Sequence, residues 1–74
     1  MSEPLDLKGL KCPLPALFAR RALAKAAPGA TLVVVADDPL AALDIPHMCR
    51  QEGYEVVAVA RDGAQATLTL RRPA

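Results

Sequence analysis

The sequence predicts an α/β (α+β) domain, a two-layer sandwich with four strands in a mixed sheet and two helices on one face. Three stretches carry this prediction. "TLVVVA" (31–36) is a continuous β-branched run, "DDP" (37–39) is a helix-start signal, and "RDGA" (61–64) contains an Asp-Gly turn between two apolar runs. Together they imply the order β-α-β-α-β-β.

The elements follow in turn. Residues 4–8, "PLDLK", form a short first strand, and Gly9 allows the turn after it. From Pro13 to Ala27 the residues are helix formers apart from Pro13 and Pro15. Both prolines fall in the first turn, where an N–H has no intrahelical partner to lose. "APGA" (27–30) stops this helix, and the run at 31–36 reads as a strand buried on both faces or nearly so. Asp38 as N-cap and Pro39 at the first helical position open the second helix. Pro46 leaves residues 39–52 as either one kinked helix or a turn followed by a helix, and Gly53 ends the segment. Residues 54–60 and 65–71 are strands of an antiparallel hairpin. The first two strands are expected to be parallel, joined by a right-handed crossover.

The chain of 74 residues suffices for one domain, residues 1–74, with a small core. Apolar residues make up 53% and aromatic residues 3%, with no Trp, so that core is aliphatic. No apolar run approaches the length of a membrane span, and "MSEPLDLKGL" lacks a secretory pattern. A cytoplasmic protein is expected. The net charge of +1 conceals an asymmetry. Between Leu7 and Ala36 there are five basic residues (Lys8, Lys11, Arg20, Arg21, Lys25) and no acid; from Asp37 to Ala60 there are five acids and one base. Such a distribution is compatible with ordinary surface charge. It also surrounds Cys12 with positive residues.

Cys12 stands in "GLKCPLP" (9–15). A thiol there can be a buried turn residue, half of a disulfide, a metal ligand or a nucleophile. Two cysteines do not make the disulfide framework of a small secreted domain, and Cys12, Cys49 and His47 are too few and too irregularly spaced for zinc. Packed and reactive thiols both remain. The loop after the first strand lies at the sheet edge where ligands collect, and Cys12 falls at the start of a helix, whose free N–H groups favour an anion. Lys8 and Lys11 add positive charge nearby, so a thiolate nucleophile is the expected reactive form.

At about 100° per residue, Ala16, Ala19, Leu23 and Ala26 share one face of the first helix, with Arg21 and Lys25 on the opposite face and Leu14, Leu17 and Phe18 straddling that same side. In that phase an apolar and basic docking patch (Leu14, Leu17, Phe18, Arg20, Arg21, Lys25) adjoins Cys12; in the other phase Leu17 and Phe18 are core. Cys49 reads as a buried thiol, or as a partner for an oxidised Cys12. Asp44 reads as a helix cap and Met48 as core. Gly29, Gly53 and Gly63 are isolated, and no phosphate-cradling loop is present.

"LDLKGLKCPLPALFARRAL" (5–23), "GATLVVVADDPLAALDIPHMC" (29–49) and "GYEVV" (53–57) resemble the TusA/SirA family of bacterial sulfur-carrier proteins. The likeness covers nearly the whole chain, and Cys-Pro-x-Pro joined to "DDP" and "DIPxxC" at this spacing is specific. The resemblance implies a fold like the C-terminal domain of bacterial translation initiation factor three. It implies a persulfide on Cys12 and no separate cofactor. It also implies a cysteine desulfurase or rhodanese-type sulfur donor and an acceptor protein in tRNA thiolation, molybdenum cofactor maturation or sulfur oxidation. Leu14 departs from the acidic residue of the best-known tRNA-thiolating member, and "YEVV" follows Gly53 where a histidine is common. Two other functions fit parts of the sequence: a nucleic-acid-binding or regulatory module built on the basic helix, and a redox sensor pairing Cys12 with Cys49. Near-zero net charge and a single Tyr and Phe argue against nucleic acid.

Overall fold

The computed structural model describes residues 4–74. The elements are β1 (Leu5–Asp6), α1 (Leu14–Lys25), β2 (Thr31–Ala36), α2 (Ala41–Glu52), β3 (Glu55–Asp62) and β4 (Gln65–Arg71). They form a four-stranded sheet in the spatial order β1-β2-β4-β3. β1 is parallel to β2, while β4 runs antiparallel to both β2 and β3.

Alternation along the central strands decides where the helices lie. On β4 every second residue, Ala66, Leu68 and Leu70, is buried, and on β2 Val34 and Ala36 are. These residues share one core with Ala19 and Leu23 of α1 and with Ala41, Ile45, Met48 and Cys49 of α2. Both helices therefore cover the same face, which is the expected two-layer α+β sandwich. The sequence predicts β2 to be buried on both faces or nearly so. Val33 and Val35 are only half-buried, because no second layer covers the far face.

Several boundaries differ from expectation for local reasons. β1 ends at Asp6 rather than residue 8: Leu7 still donates to the Val35 carbonyl at 2.7 Å, then the Lys8 N–H turns back to Asp6 Oδ1 at 3.0 Å. α1 begins at Leu14, with Pro13 as its N-cap, and ends at Lys25 because Ala26 is extended. α2 does not start at Pro39 under an Asp38 cap. Leu40 occupies the cap position and the helix begins at Ala41; the Asp38 carboxylate is divided between the Leu40 N–H and the N–H of Cys12. The helix then runs unbroken through Pro46, with Ile45, Met48 and Cys49 packed into the core around the lost N–H. Gly53 closes it at φ +83°, a left-handed conformation a side chain would strain. The β3–β4 turn is centred on Gly63 and Ala64 rather than Asp62 and Gly63, with Asp62 pairing Gln65 and Gly63 at φ +62°.

The C-terminal end of α1 has a cap from distant sequence. Arg72 Nη1 donates to the carbonyls of Leu23 (3.4 Å), Ala24 (2.9 Å) and Ala26 (2.7 Å). A cation at the last carbonyls of a helix is favoured by both hydrogen bonding and the helix dipole, although the Leu23 carbonyl also accepts the Ala26 N–H. Arg72→Ala is expected to lower stability by about 1–3 kcal/mol, measured by urea unfolding, with amide protection lost first in the last turn of α1.

Candidate functional site

Cys12 lies in the connection between β1 and α1, exposed, beside the loop that follows β2. The parallel pairing of β1 and β2 brings those two connections to one edge of the sheet. Asp37 and Asp38 fasten them together. Asp37 Oδ1 accepts the Gly9 N–H at 2.9 Å, and Asp38 Oδ2 accepts the N–H of Cys12 itself. Asp38 Oδ1 also accepts the Leu40 N–H at 3.1 Å. Asp38 is only 8% exposed. The Leu40 and Cys12 amides hold its carboxyl below the usual range, with help from Lys11.

The sulfur itself points to α2. Cys12 Sγ donates to Asp44 Oδ2 at 2.6 Å. This overturns the expectation of a thiolate favoured by Lys8, Lys11 and the helix start. The thiol is pushed up from its ordinary value, first by the hydrogen bond to Asp44, then by desolvation and the charges of Asp44 and Asp38. Carboxylates from 26 and 32 residues away thus outweigh lysines close in sequence. The start of α1 offers the sulfur little. Pro13 and Pro15 have no N–H, and that of Leu14 is spent on the Lys11 carbonyl at 2.8 Å. Pro13 follows a cis peptide bond from Cys12. Pro15 is buried and anchors the first turn of α1.

Cys12 and Pro13 open into a groove of about 320 Å³ between α1 and α2, lined further by Leu17 and Arg20 of α1 and Asp44 and His47 of α2. Met48 forms part of its wall and is 7% exposed, consistent with its reading as core. The expected docking patch is split by the helix. Leu17 and Arg20 join Cys12, whereas Phe18, Arg21 and Lys25 turn to a second depression beside Leu5. Leu14, Leu17 and Phe18 are about 40% exposed (41%, 40% and 39%), which settles the helix phase: Pro15, Ala19 and Leu23 face the sheet. Lys8 and Lys11 are exposed on the Cys12 loop.

Cys49 is fully buried among core residues and does not line the groove, and burial pushes its thiol up. Among the described residues no cluster of three His, Cys, Asp or Glu side chains is placed to hold a metal ion, and no helix is long and apolar enough to cross a membrane.

Sequence reasoning missed Asp44, His47 and Asp38 as site residues. The signal was present: Asp44, His47, Met48 and Gln51 recur at helical spacing and share the groove face. One exposed, buttressed sulfur at the mouth of an open groove is accessible to another protein's sulfur.

The profile of the family described as "Sulfurtransferase TusA" matches residues 3–72. The chain belongs to the TusA family. A crystal structure of a SirA-like protein from Desulfitobacterium hafniense superposes with a TM-score of 0.80. It is 23% identical, with 96% of this chain and 97% of that one covered, and so supports the shared fold. Membership of the TusA family gives the chain a general role as a sulfur carrier of sulfurtransferase type, which works with sulfur-relay partner proteins.

Proposed function

We propose that Cys12 carries sulfane sulfur as a persulfide, taking it from a cysteine desulfurase or rhodanese-type donor and passing it to an acceptor protein. One observation supports this most: Cys12 is exposed at the mouth of a groove open to a partner, while the other cysteine is sealed in the core. In the loading step the Cys12 sulfur attacks the outer sulfur of the donor's persulfide. The donor's S–S bond breaks, its electron pair leaves on the donor cysteine, and a new S–S bond forms at Cys12. No net oxidation occurs, so neither metal nor redox cofactor is required. The persulfide is covalent, and little turnover is expected without partners. Leu17 and Arg20, beside the sulfur, meet the donor and acceptor; Leu14, Phe18, Arg21 and Lys25 extend the contact around α1. Lys8 and Lys11 steer an anionic partner surface toward the loop. Such a carrier works in the cytoplasm, where thiols stay reduced. The acceptor belongs to tRNA thiolation, molybdenum cofactor maturation or sulfur oxidation.

Intact-protein mass spectrometry after incubation with a cysteine desulfurase and cysteine tests the proposal. The expected result is the gain of one sulfur atom, reversed by a thiol reductant, absent in Cys12→Ser and retained in Cys49→Ser. Gain in Cys12→Ser with loss in Cys49→Ser would reassign the carrier cysteine. A Cys12–Cys49 disulfide forming on mild oxidation would favour a redox sensor instead.

A further inference from the structure

The contact between Cys12 Sγ and Asp44 depends on a proton. A carboxylate oxygen accepts an S–H, but it repels the same sulfur once the proton has gone. Asp44, His47 and Arg20 line the groove with Cys12, and Asp38 holds its N–H; Asp37 lies in the β2–α2 connection and bonds Gly9, while Lys8 and Lys11 are on the Cys12 loop. Of these, only Asp44 is hydrogen-bonded to Sγ among the described residues. Asp38 holds the backbone instead, and Arg20 lies along the same groove.

We propose that Asp44 is a catalytic residue that distinguishes the empty carrier from the loaded one, seating the protonated Cys12 thiol and repelling the anionic outer sulfur into the groove toward Arg20. This rests on the carrier function proposed above. In the empty state the thiol donates to Asp44. During loading, the proton passes to Asp44 Oδ2 as Sγ attacks the donor's outer sulfur, and Asp44 then returns it to the departing donor cysteine. The net change is Cys12–SH plus donor–S–S⁻ giving Cys12–S–S⁻ plus donor–SH, with charge and protons conserved. Once loaded, Sγ has no proton to donate and the hydrogen bond ends. The charge now sits on an atom about 2 Å beyond Sγ, in a groove lined by both Asp44 and Arg20. The loaded sulfur is thereby presented, and the empty one withdrawn.

The test uses the full chain as wild type, Asp44→Asn and Asp44→Ala, each in a Cys49→Ser background, with folding checked by circular dichroism. Iodoacetamide is the probe. For the empty thiol, both substitutions are expected to move the pH–rate profile to lower pH. For each pH unit moved, the rate at neutral pH rises about threefold and the high-pH plateau falls about threefold, because thiolate fraction and nucleophilicity change in opposite directions. The curves therefore cross. For the sulfur-loaded protein at neutral pH, Asp44→Asn is expected to slow capture of the outer sulfur, because an amide donor replaces a repelling charge. A uniform scaling of the thiol profile with no shift of midpoint is what a merely structural role predicts, and it would overturn the inference. So would an acceleration of both captures. If wild-type protein takes up no sulfur on Cys12, the carrier function fails while the thiol profile still reports on Asp44. If it loads normally and the profile does not move, only this inference fails.

Discussion

Replacing Leu68 by alanine is expected to lower the melting midpoint by roughly 10–30 °C or to abolish a cooperative transition. Leu68 lies on β4, between Val34 of β2 and Val59 of β3, and is fully buried under the helices. Truncating a leucine in such a place costs about 2–5 kcal/mol, from lost transfer energy and the cavity that remains. A domain of this size holds only about 4–11 kcal/mol in total, at 0.05–0.15 kcal/mol per residue. The buried core is aliphatic apart from Met48 and Cys49, and the one ring packed against it, Tyr54, is only partly buried at its margin. Leu43→Ala is the control: Leu43 is 66% exposed on α2 and its truncation should change stability by no more than about 0.5 kcal/mol. Thermal and urea unfolding followed by circular dichroism measure both. Equal losses at the two positions would mean that the sheet face beneath the helices is not the core.

Asp38→Ala is expected to cut sulfur loading of Cys12 about a hundredfold while leaving the protein folded. The side chain is the only acceptor found among the described residues for the Cys12 N–H, and it also takes that of Leu40. Without it both amides lose their partner and, among the described residues, the hydrogen bonds that still tie the loop to β2 and its following connection are those of Asp37 and the Leu7 amide. A reacting atom misplaced by an ångström is enough for a loss of that order. Loading kinetics by mass spectrometry check the rate, and hydrogen exchange at Cys12 and Leu40 checks the cause. The pH dependence has a definite sign. Asp38 is held below its ordinary value in the folded state, so its stabilisation is complete above the unfolded value of about 4 and is lost as pH falls through the lower folded value. Protection of the two amides in wild type should therefore persist to below about pH 4 and then collapse. In Asp38→Ala it should be low throughout.

Much of this fold is legible in the sequence because its signals are local. The β-branched run at 31–36, Gly53 after an apolar helix face, and the alternation along 65–71 each mark an element without reference to any other. The site is less legible, and Asp38 shows why. Its position before Pro39 fits an ordinary helix cap, and one carboxylate oxygen does take the Leu40 N–H, but the other takes an amide 26 residues earlier that no local pattern marks, and the helix starts later. Cys12 shows the same thing for charge. Lys8 and Lys11 are neighbours along the chain, but the fold puts the carboxylate of Asp44 against the sulfur. Sequence proximity is a poor guide to electrostatics at a sheet edge, where two connections from distant parts of the chain converge. The groove face of α2 was within reach, since Asp44, His47, Met48 and Gln51 recur at helical spacing; the Asp-Ile-Pro stretch drew attention to helix initiation instead.

β3 forms one edge of the sheet, and it is apolar, with Val57 and Val59 well exposed. A straight strand of that composition is a template on which another chain can crystallise one hydrogen bond at a time. The register of β3 slips between Val56 and Ala58, so Val57 is an extra residue with no counterpart on β4. Such a bulge bends and twists the strand, interrupting the repeat that a growing ladder needs. The protein thereby keeps its greasy margin from acting as a seed.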